Sequence, residues 1–260
     1  MDHILHPETQ TQASIAAPRV RQVEPARTLV WLSRGWADMS RAWRASLGHG
    51  ALVAAFGVLL LVAASQATYL VPTLIGGFLL VAPFVAIVHY GLSRQIAEGD
   101  PPDSHAAWLA VRRNPGSVAL YGLMLALALI TWERMAAIVF ALFLGNDVPD
   151  LSNLVAEVLF SGQYLGLTAA FLAAGALLAA VVFALSVVTV PLLLEREMDL
   201  VSAALTSLQC CVRNPLTMLI WAVLIGCLTA WGFAMAMVGL VVVFPLLGHA
   251  SWHAYKDLVD

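Results

Sequence analysis

The feature that most constrains this chain is a set of four long blocks almost free of charge. Residues 50–90, 164–194 and 215–248 carry none, and residues 115–145 carry only Glu133 and Arg134. A charge at the bilayer centre is expensive and an apolar helix is not, so blocks of this kind read as membrane spans. The rest of the composition agrees. Of 260 residues, 61% are hydrophobic and 11% charged, against about a quarter charged in a soluble domain. A net charge of -3 argues against a nucleic-acid partner.

Block length sets the number of spans. One crossing needs about 20 residues. Residues 50–90 are therefore two spans, with a turn expected at Ser65-Gln66-Ala67-Thr68-Tyr69. Residues 215–248 as one helix would be roughly 51 Å long at 1.5 Å per residue, against a hydrocarbon core of about 30 Å. A hairpin near Thr229-Ala230-Trp231-Gly232 is expected instead. The two middle blocks are one long span each. The expected fold is an all-α membrane protein with six transmembrane helices.

Basic residues set the orientation. Arg19, Arg21, Arg27, Arg34, Arg41 and Arg44 precede the first span; Arg94, Arg112 and Arg113 lie between the second and third; Arg196 and Arg213 lie between the fourth and fifth; Lys256 follows the sixth. All fall on one side of a six-span chain. The connection over residues 146–163 holds Asp147, Asp150 and Glu157 without Arg or Lys. The positive-inside rule then puts both termini in the cytoplasm, for a protein of the bacterial inner membrane. Arg134 is the exception, about 28 Å along a helix from Pro115, at the outer interface with Trp132. Residues 1–27 are polar and patternless and read as a disordered cytoplasmic tail, leaving residues 28–260 as a single six-span domain.

One join occurs twice: Arg113-Asn114-Pro115 and Arg213-Asn214-Pro215, each followed at once by a span. Pro suits the first helical position, where its missing N–H would have no partner, and Asn can cap the neighbouring N–H groups. His49-Gly50 takes the place of Asn-Pro in the first unit when Trp43 is aligned with Trp108. A short amphipathic helix precedes each hairpin. Its stripe is Leu32, Trp36, Met39, Trp43 and Leu47 in the first unit, Trp108 and Val111 behind an Asp103 cap in the second, and Val201, Leu205, Leu208 and Val212 in the third. Pro83, Pro191 and Pro245 each lie shortly before the cytoplasmic end of a second span. The six spans thus form three pseudo-repeated hairpins.

Chemistry-bearing residues are few. No paired carboxylates lie inside the spans, and Glu133 and Arg134, adjacent on a helix, point in different directions. His49 begins the first span, His89 ends the second and His249 ends the sixth, with His253 one turn beyond. Haem iron is commonly held by His, so His49, His89 and His249 are the haem candidates. Thr168, Ser186, Thr189 and Thr217 are hydroxyls of the spans that could line a polar path. Gly122 with Ala126, and Gly175 with Ala179, have the spacing that lets helices approach closely. The three cysteines fit neither a zinc pattern nor a disulfide framework. Phosphate-loop, Ser/His/Asp and metalloprotease motifs are missing from the sequence, so no catalytic residue, metal or cofactor is assigned.

The stretch GLSRQIAEGDPPDSHAAWLAVRRNP, from Gly91 to Pro115, resembles a bacterial family of predicted integral membrane proteins classed as a domain of unknown function. The matching features are Gly-Leu, an Arg, an acidic-Gly turn, a short helix and Arg-Arg-Asn-Pro, and the similarity runs from Arg34 to Asp260. Some members carry the label of putative cytochrome c oxidase subunit. The resemblance implies the topology and supplies no site residues.

Three functions are consistent with this reading. The first is a non-enzymatic accessory, assembly or scaffolding component acting through a membrane-protein partner or a second copy of itself within the lipid bilayer. The second is a permease or channel for a small solute, which calls for a hydroxyl-lined cavity through the bundle. The third is a haem-binding, oxidase-associated subunit, which calls for two histidines to converge. Arg113→Glu combined with Arg213→Glu is expected to disturb insertion, because both sit at span starts on the positive side. Accessibility of cysteines engineered into the adjoining loops checks this, and unchanged accessibility would count against it.

Overall fold

A computed structural model describes residues 18–64, 71–144 and 162–260. These residues are helical apart from short joins and one isolated bridge between Val20 and Val259. The helices are α1 (Arg27–Arg41), α2 (Trp43–Ala64), α3 (Val71–Val85), α4 (Ile87–Glu98), α5 (Ser104–Leu109), α6 (Pro115–Leu144), α7 (Leu165–Ser186), α8 (Thr189–Glu195), α9 (Leu200–Arg213), α10 (Pro215–Ala234) and α11 (Leu240–Leu258). Five stretches are long and apolar enough to cross a membrane: Trp43–Ala63, Leu74–Glu98, Pro115–Leu144, Leu165–Glu195 and Pro215–Ala234. The sixth expected span, α11, is apolar only in its first half. Its second half carries His249, Ser251, His253, Lys256 and Asp257, and packs against α1 and α4.

The three prolines act differently. Pro83 lies inside α3, which ends two residues later at Val85 before α4 begins. Pro191 falls in the first turn of α8, where a missing N–H is harmless. Pro245 sits within an unbroken α11. Lacking an N–H, it leaves the Val241 carbonyl without its helical donor. Gly50 of α2 packs on that spot: a Cβ there would overlap the Val241 oxygen and lie 2.9 Å from its carbonyl carbon. The glycine is what lets α2 and α11 touch.

Several expectations need correction. α10 runs past Thr229-Ala230-Trp231-Gly232 to Ala234, and the turn follows it, with Ala236 (φ 50) and Met237 (φ 70) left-handed. Gly232 instead makes room for Leu240 on the returning helix, whose side chain would lie 2.6 Å from an added Cβ. A 20-residue helix spans about 30 Å, one bilayer core, before it turns. The turn expected at residues 65–69 and most of the 146–163 connection lie outside the described residues. Trp132 is buried between α3 and α7, against Gly76, Gly175 and Phe171. Glu133 and Arg134 pair with each other at 3.3 Å.

The tail boundary also moves. Residues before 27 pack against the C-terminus: Arg21 N–H donates to Leu258 (2.8 Å), Asp260 N–H to Arg19 (3.0 Å), and Val20 is buried. Asp257 then accepts from Arg27 (2.6 Å) and from the Trp31 indole (2.7 Å). The segment from residue 18 and the C-terminus therefore share one end of the molecule. Residues 1–17 lie outside the described residues.

The stripe of α9 faces the opposite way from that of a water-soluble protein. Val201, Leu205, Leu208 and Val212 are turned outward, while Ala203, Thr206, Ser207 and Cys210 are buried. An apolar side chain gains nothing from a protein core over hydrocarbon, so small polar groups can take the inside. The first stripe is divided: Met39 is buried with Trp31, Gly35 and Asp38, and Leu32 packs on the core, whereas Trp36 and Trp43 are exposed. α5 has the expected Asp103 cap, which accepts from the His105 N–H at 2.8 Å.

Gly50→Ala should lower stability in detergent by about 1–3 kcal/mol, the usual range for overpacking a tight contact. Gly116→Ala is the control, because a Cβ there meets nothing within 4 Å and should be neutral or slightly stabilising. Thermal unfolding of the two variants checks the contrast.

Candidate functional site

Between α2, α3 and α6 lies a cleft of about 550 Å³, within the usual range for a small-molecule site. Its walls are Leu52, Val53, Phe56 and Leu60 of α2; Leu74, Gly77, Phe78, Val81, Ala82 and Val85 of α3; Leu129 of α6; and Phe244 of α11. His49 is the one polar side chain in this lining. None of Thr168, Ser186, Thr189 and Thr217 lines it. Thr189 of α8 donates to Leu185 near the end of α7 (2.6 Å) and Thr217 to Val23 (2.7 Å).

Behind His49 the fold gathers all four interface histidines. His49 Nδ1 lies 3.4 Å from His89 Nε2. The His89 and His249 rings meet edge to face at 5.2 Å between centroids. Ser93 donates to Asp38 (2.8 Å) and lies 2.8 Å from His249 Nδ1; Ser46 lies 2.9 Å from His249 Nε2; His253 Nε2 lies 2.8 Å from Asp38. Ser46, His89, Ser93 and His249 are fully buried and Asp38 nearly so.

Helical spacing builds this cluster. Ser46, His49 and Val53 share one face of α2; His89 and Ser93 are four apart on α4; His249 and His253 are four apart on α11. Two glycines bring the helices close enough. A Cβ on Gly248 would lie 2.7 Å from the His89 Cβ, and one on Gly35 would lie 2.7 Å from the Ala250 nitrogen. The spacing of His249 and His253 was legible in the sequence. Asp38, Ser46 and Ser93 were missed, because nothing local marks a Ser or Asp as the partner of a distant imidazole.

The proton positions around Asp38 follow from its charge. An ionised carboxylate only accepts, so the Ser93 hydroxyl donates to it. Ser93 Oγ must then accept from His249 Nδ1–H, which leaves His249 Nε2 bare in the neutral ring, and Ser46 donates to that nitrogen. Burial opposes ionisation of Asp38, but hydrogen bonds from His253 and Ser93 outweigh it and hold its carboxyl below the usual range. His49 and His89 converge, yet not as two axial ligands of one iron. That arrangement separates the nitrogens by roughly 4 Å, twice a metal–nitrogen bond of about 2.0 Å. A gap of 3.4 Å suits a long hydrogen bond.

The repeated joins hold the cluster's end of the bundle together. Asn114 and Asn214 have almost the same backbone (φ -142, ψ 59 and φ -130, ψ 51), with Pro115 and Pro215 opening the next helix. Neither Asn caps that helix. Asn114 Nδ2 donates to the Met198 carbonyl (2.6 Å), and Ser117 donates to it as well (2.9 Å). Asn214 donates to Arg21 (3.0 Å) and Cys210 (3.1 Å) and accepts from Val23 N–H (2.7 Å), while Thr217 donates to Val23. Each Asn-Pro-x-Ser/Thr thus grips the segment leading into another amphipathic helix. Arg213 adds a hydrogen bond to Val20 (3.1 Å), and Arg113 is exposed. The corresponding join before α2 is Arg41-Ala42-Trp43, where Ala42 has a comparable backbone (φ -105, ψ 32), and not His49-Gly50, which lies inside α2.

Acid should unlock the cluster through Asp38. Its folded pKa is depressed, so its contribution is present above the unfolded value of about 3.9 and is lost as pH falls through the folded one. Stability in detergent should therefore fall in an acid step below the ordinary carboxylate range, and Asp38→Asn should shrink that step. Thermal unfolding of both proteins across pH checks this.

Comparison with known proteins gives one family. The model of a family described as predicted integral membrane protein (DUF2189) matches residues 70–195, within the longer stretch over which the resemblance was expected. No curated protein and no solved structure matches. The matched residues run from α3 through α8 and include His89 and Ser93, while Asp38, His49 and His249 fall outside them. Over residues 70–195 the chain is similar to this family of predicted integral membrane proteins.

Proposed function

We propose that this protein is a non-enzymatic component of the bacterial inner membrane that binds a largely apolar small molecule entering from the bilayer. The observation that carries the reading is the cleft between α2, α3 and α6, wholly apolar except for His49. Binding sites typically combine apolar walls with a small number of placed polar groups. Here that group is held from behind by His89 and by a buried network reaching four helices.

The architecture around the cleft is a six-span bundle, with α11 as the last span and both termini cytoplasmic. Two observations support this. The segment near residue 20 pairs with the C-terminus, which requires an even number of crossings. The arginines of the span joins lie at that same end. The bundle consists of three copies of one unit, an amphipathic helix followed by a hairpin. Support comes from the two matching Asn-Pro-x-Ser/Thr joins and the related backbone at Ala42. The unit containing the cleft is the one with Ala42 and Ala45 where the others have Asn and Ser/Thr. The entry to α5 is held otherwise, by Gln95 bonding both the N–H (2.7 Å) and the carbonyl (3.1 Å) of Asp103.

Native mass spectrometry of the protein extracted gently from its host membrane tests the binding reading. The expected result is one tightly held lipid-soluble molecule per chain, largely lost in Ala82→Phe, which fills the cleft. A bare chain, or an adduct unchanged by that substitution, would overturn it. A stoichiometric protein partner with an empty cleft would favour the scaffolding role instead.

A further inference from the structure

His89 is fully buried, and its two ring nitrogens have different surroundings. Nε2 faces two acceptors, the Ser46 backbone carbonyl and His49 Nδ1 at 3.4 Å. Nδ1 has no hydrogen-bonding partner. It looks toward Gly248, where an added Cβ would lie 3.0 Å away, so the neighbour on that edge is carbon. The titratable groups around the pair are His49 from α2, His249 and His253 from α11, and Asp38 from α1, whose carboxylate is already engaged by Ser93 and His253.

A neutral imidazole carries one N–H, and two adjacent imidazolium charges in an apolar site are strongly disfavoured. Placing the His89 proton on Nδ1 would bury a donor with nothing to accept it. Placing it on Nε2 leaves only a bare lone pair on Nδ1. Buried orphan N–H groups are rarer than under-used acceptors. The proton therefore sits on Nε2, between the Ser46 carbonyl and His49 Nδ1. An N–H on His49 Nδ1 would face that N–H, so Nδ1 is the bare nitrogen and the His49 proton is on Nε2. That N–H is the polar group His49 has left to offer the cleft.

Resting on the binding reading above, we propose that the cleft selects lipid-soluble molecules ending in a hydrogen-bond acceptor of the carbonyl type, an ester, ketone or carboxylate oxygen, which takes the His49 Nε2–H. A metal bound at that nitrogen would require the opposite tautomer and would strand an N–H on His89 Nδ1.

The test uses the full chain in lipid nanodiscs, with 15N-labelled histidine and two probes of equal chain length. Methyl dodecanoate offers only acceptors, and dodecylammonium offers only donors. In the wild type, His49 should read as the Nε2–H tautomer, and methyl dodecanoate should shift that signal. It should bind the wild type about tenfold more tightly than His49→Phe, the equivalent of about 1.4 kcal/mol, and dodecylammonium should show no such preference. A His49 Nδ1–H tautomer, or a preference for dodecylammonium, would overturn the assignment while leaving the cleft in place. Methyl dodecanoate binding that Ala82→Phe does not reduce, or no binding of either probe, would overturn the cleft reading and this inference with it.

Discussion

The buried carboxylate of Asp38 organises the end of the bundle where both described termini meet. It cannot donate, so every hydroxyl and imidazole around it must take a fixed direction. Ser93 gives it a proton, His249 gives one to Ser93, and Ser46 gives one to His249. One charge thereby sets the orientation of side chains on α1, α2, α4 and α11. The same low dielectric that makes such a chain strong when complete makes each unpaired member costly. A network of this kind tolerates few alternative packings of the four helices, and it gives those helices a mutual register that apolar contact alone would leave loose.

α11 is the element on which the rest converges. It receives α1 along its length, α2 at Gly50 and α4 at Gly248. Its polar half is enclosed by neighbours, where its charged and imidazole groups find partners in Asp38, Glu195, Arg27 and Trp31. Pro245 completes the arrangement by freeing a carbonyl at the point where Gly50 removes a side chain. The N-terminal segment of residues 19–23 then closes over the end of α11 and is fastened there by Asn214 and Thr217.

Much of this was legible in the residues, for a physical reason. Long uncharged blocks specify spans because the bilayer punishes charge regardless of context, and Arg-Asn-Pro specifies a join because proline acts locally, while the distant partners of its asparagine were not legible. What was not legible depended on which solvent a surface meets. Val201, Leu205, Leu208 and Val212 were recognised as a stripe, but periodicity is blind to whether a stripe seeks protein or lipid. The turn after α10 was placed too early because Gly232 signals close approach as readily as it signals a bend. His49, His89 and His249 were visible as interface histidines. Their convergence was not, since it relies on Gly35, Gly50 and Gly248 acting between helices far apart in sequence.

On the proposed threefold repeat, the cleft and its histidine occur where the pattern is weakest. Two joins fasten themselves to a neighbouring segment through Asn and a hydroxyl three residues on. At Ala42 and Ala45 the fastening groups are methyls, and α2 stands apart from α3 and α6 far enough to leave about 550 Å³ between them. His49 lies one helical turn beyond, where loss of the local fastening leaves it to be oriented by His89 instead. If the three units are copies, as proposed, three equal joins would close the bundle all round, and a single relaxed one leaves a gap without unfastening the remainder. The polar network behind His49 then does what the missing join does elsewhere: it holds α2 to α1, α4 and α11 at the end where the described termini meet, while the cleft beside it stays open.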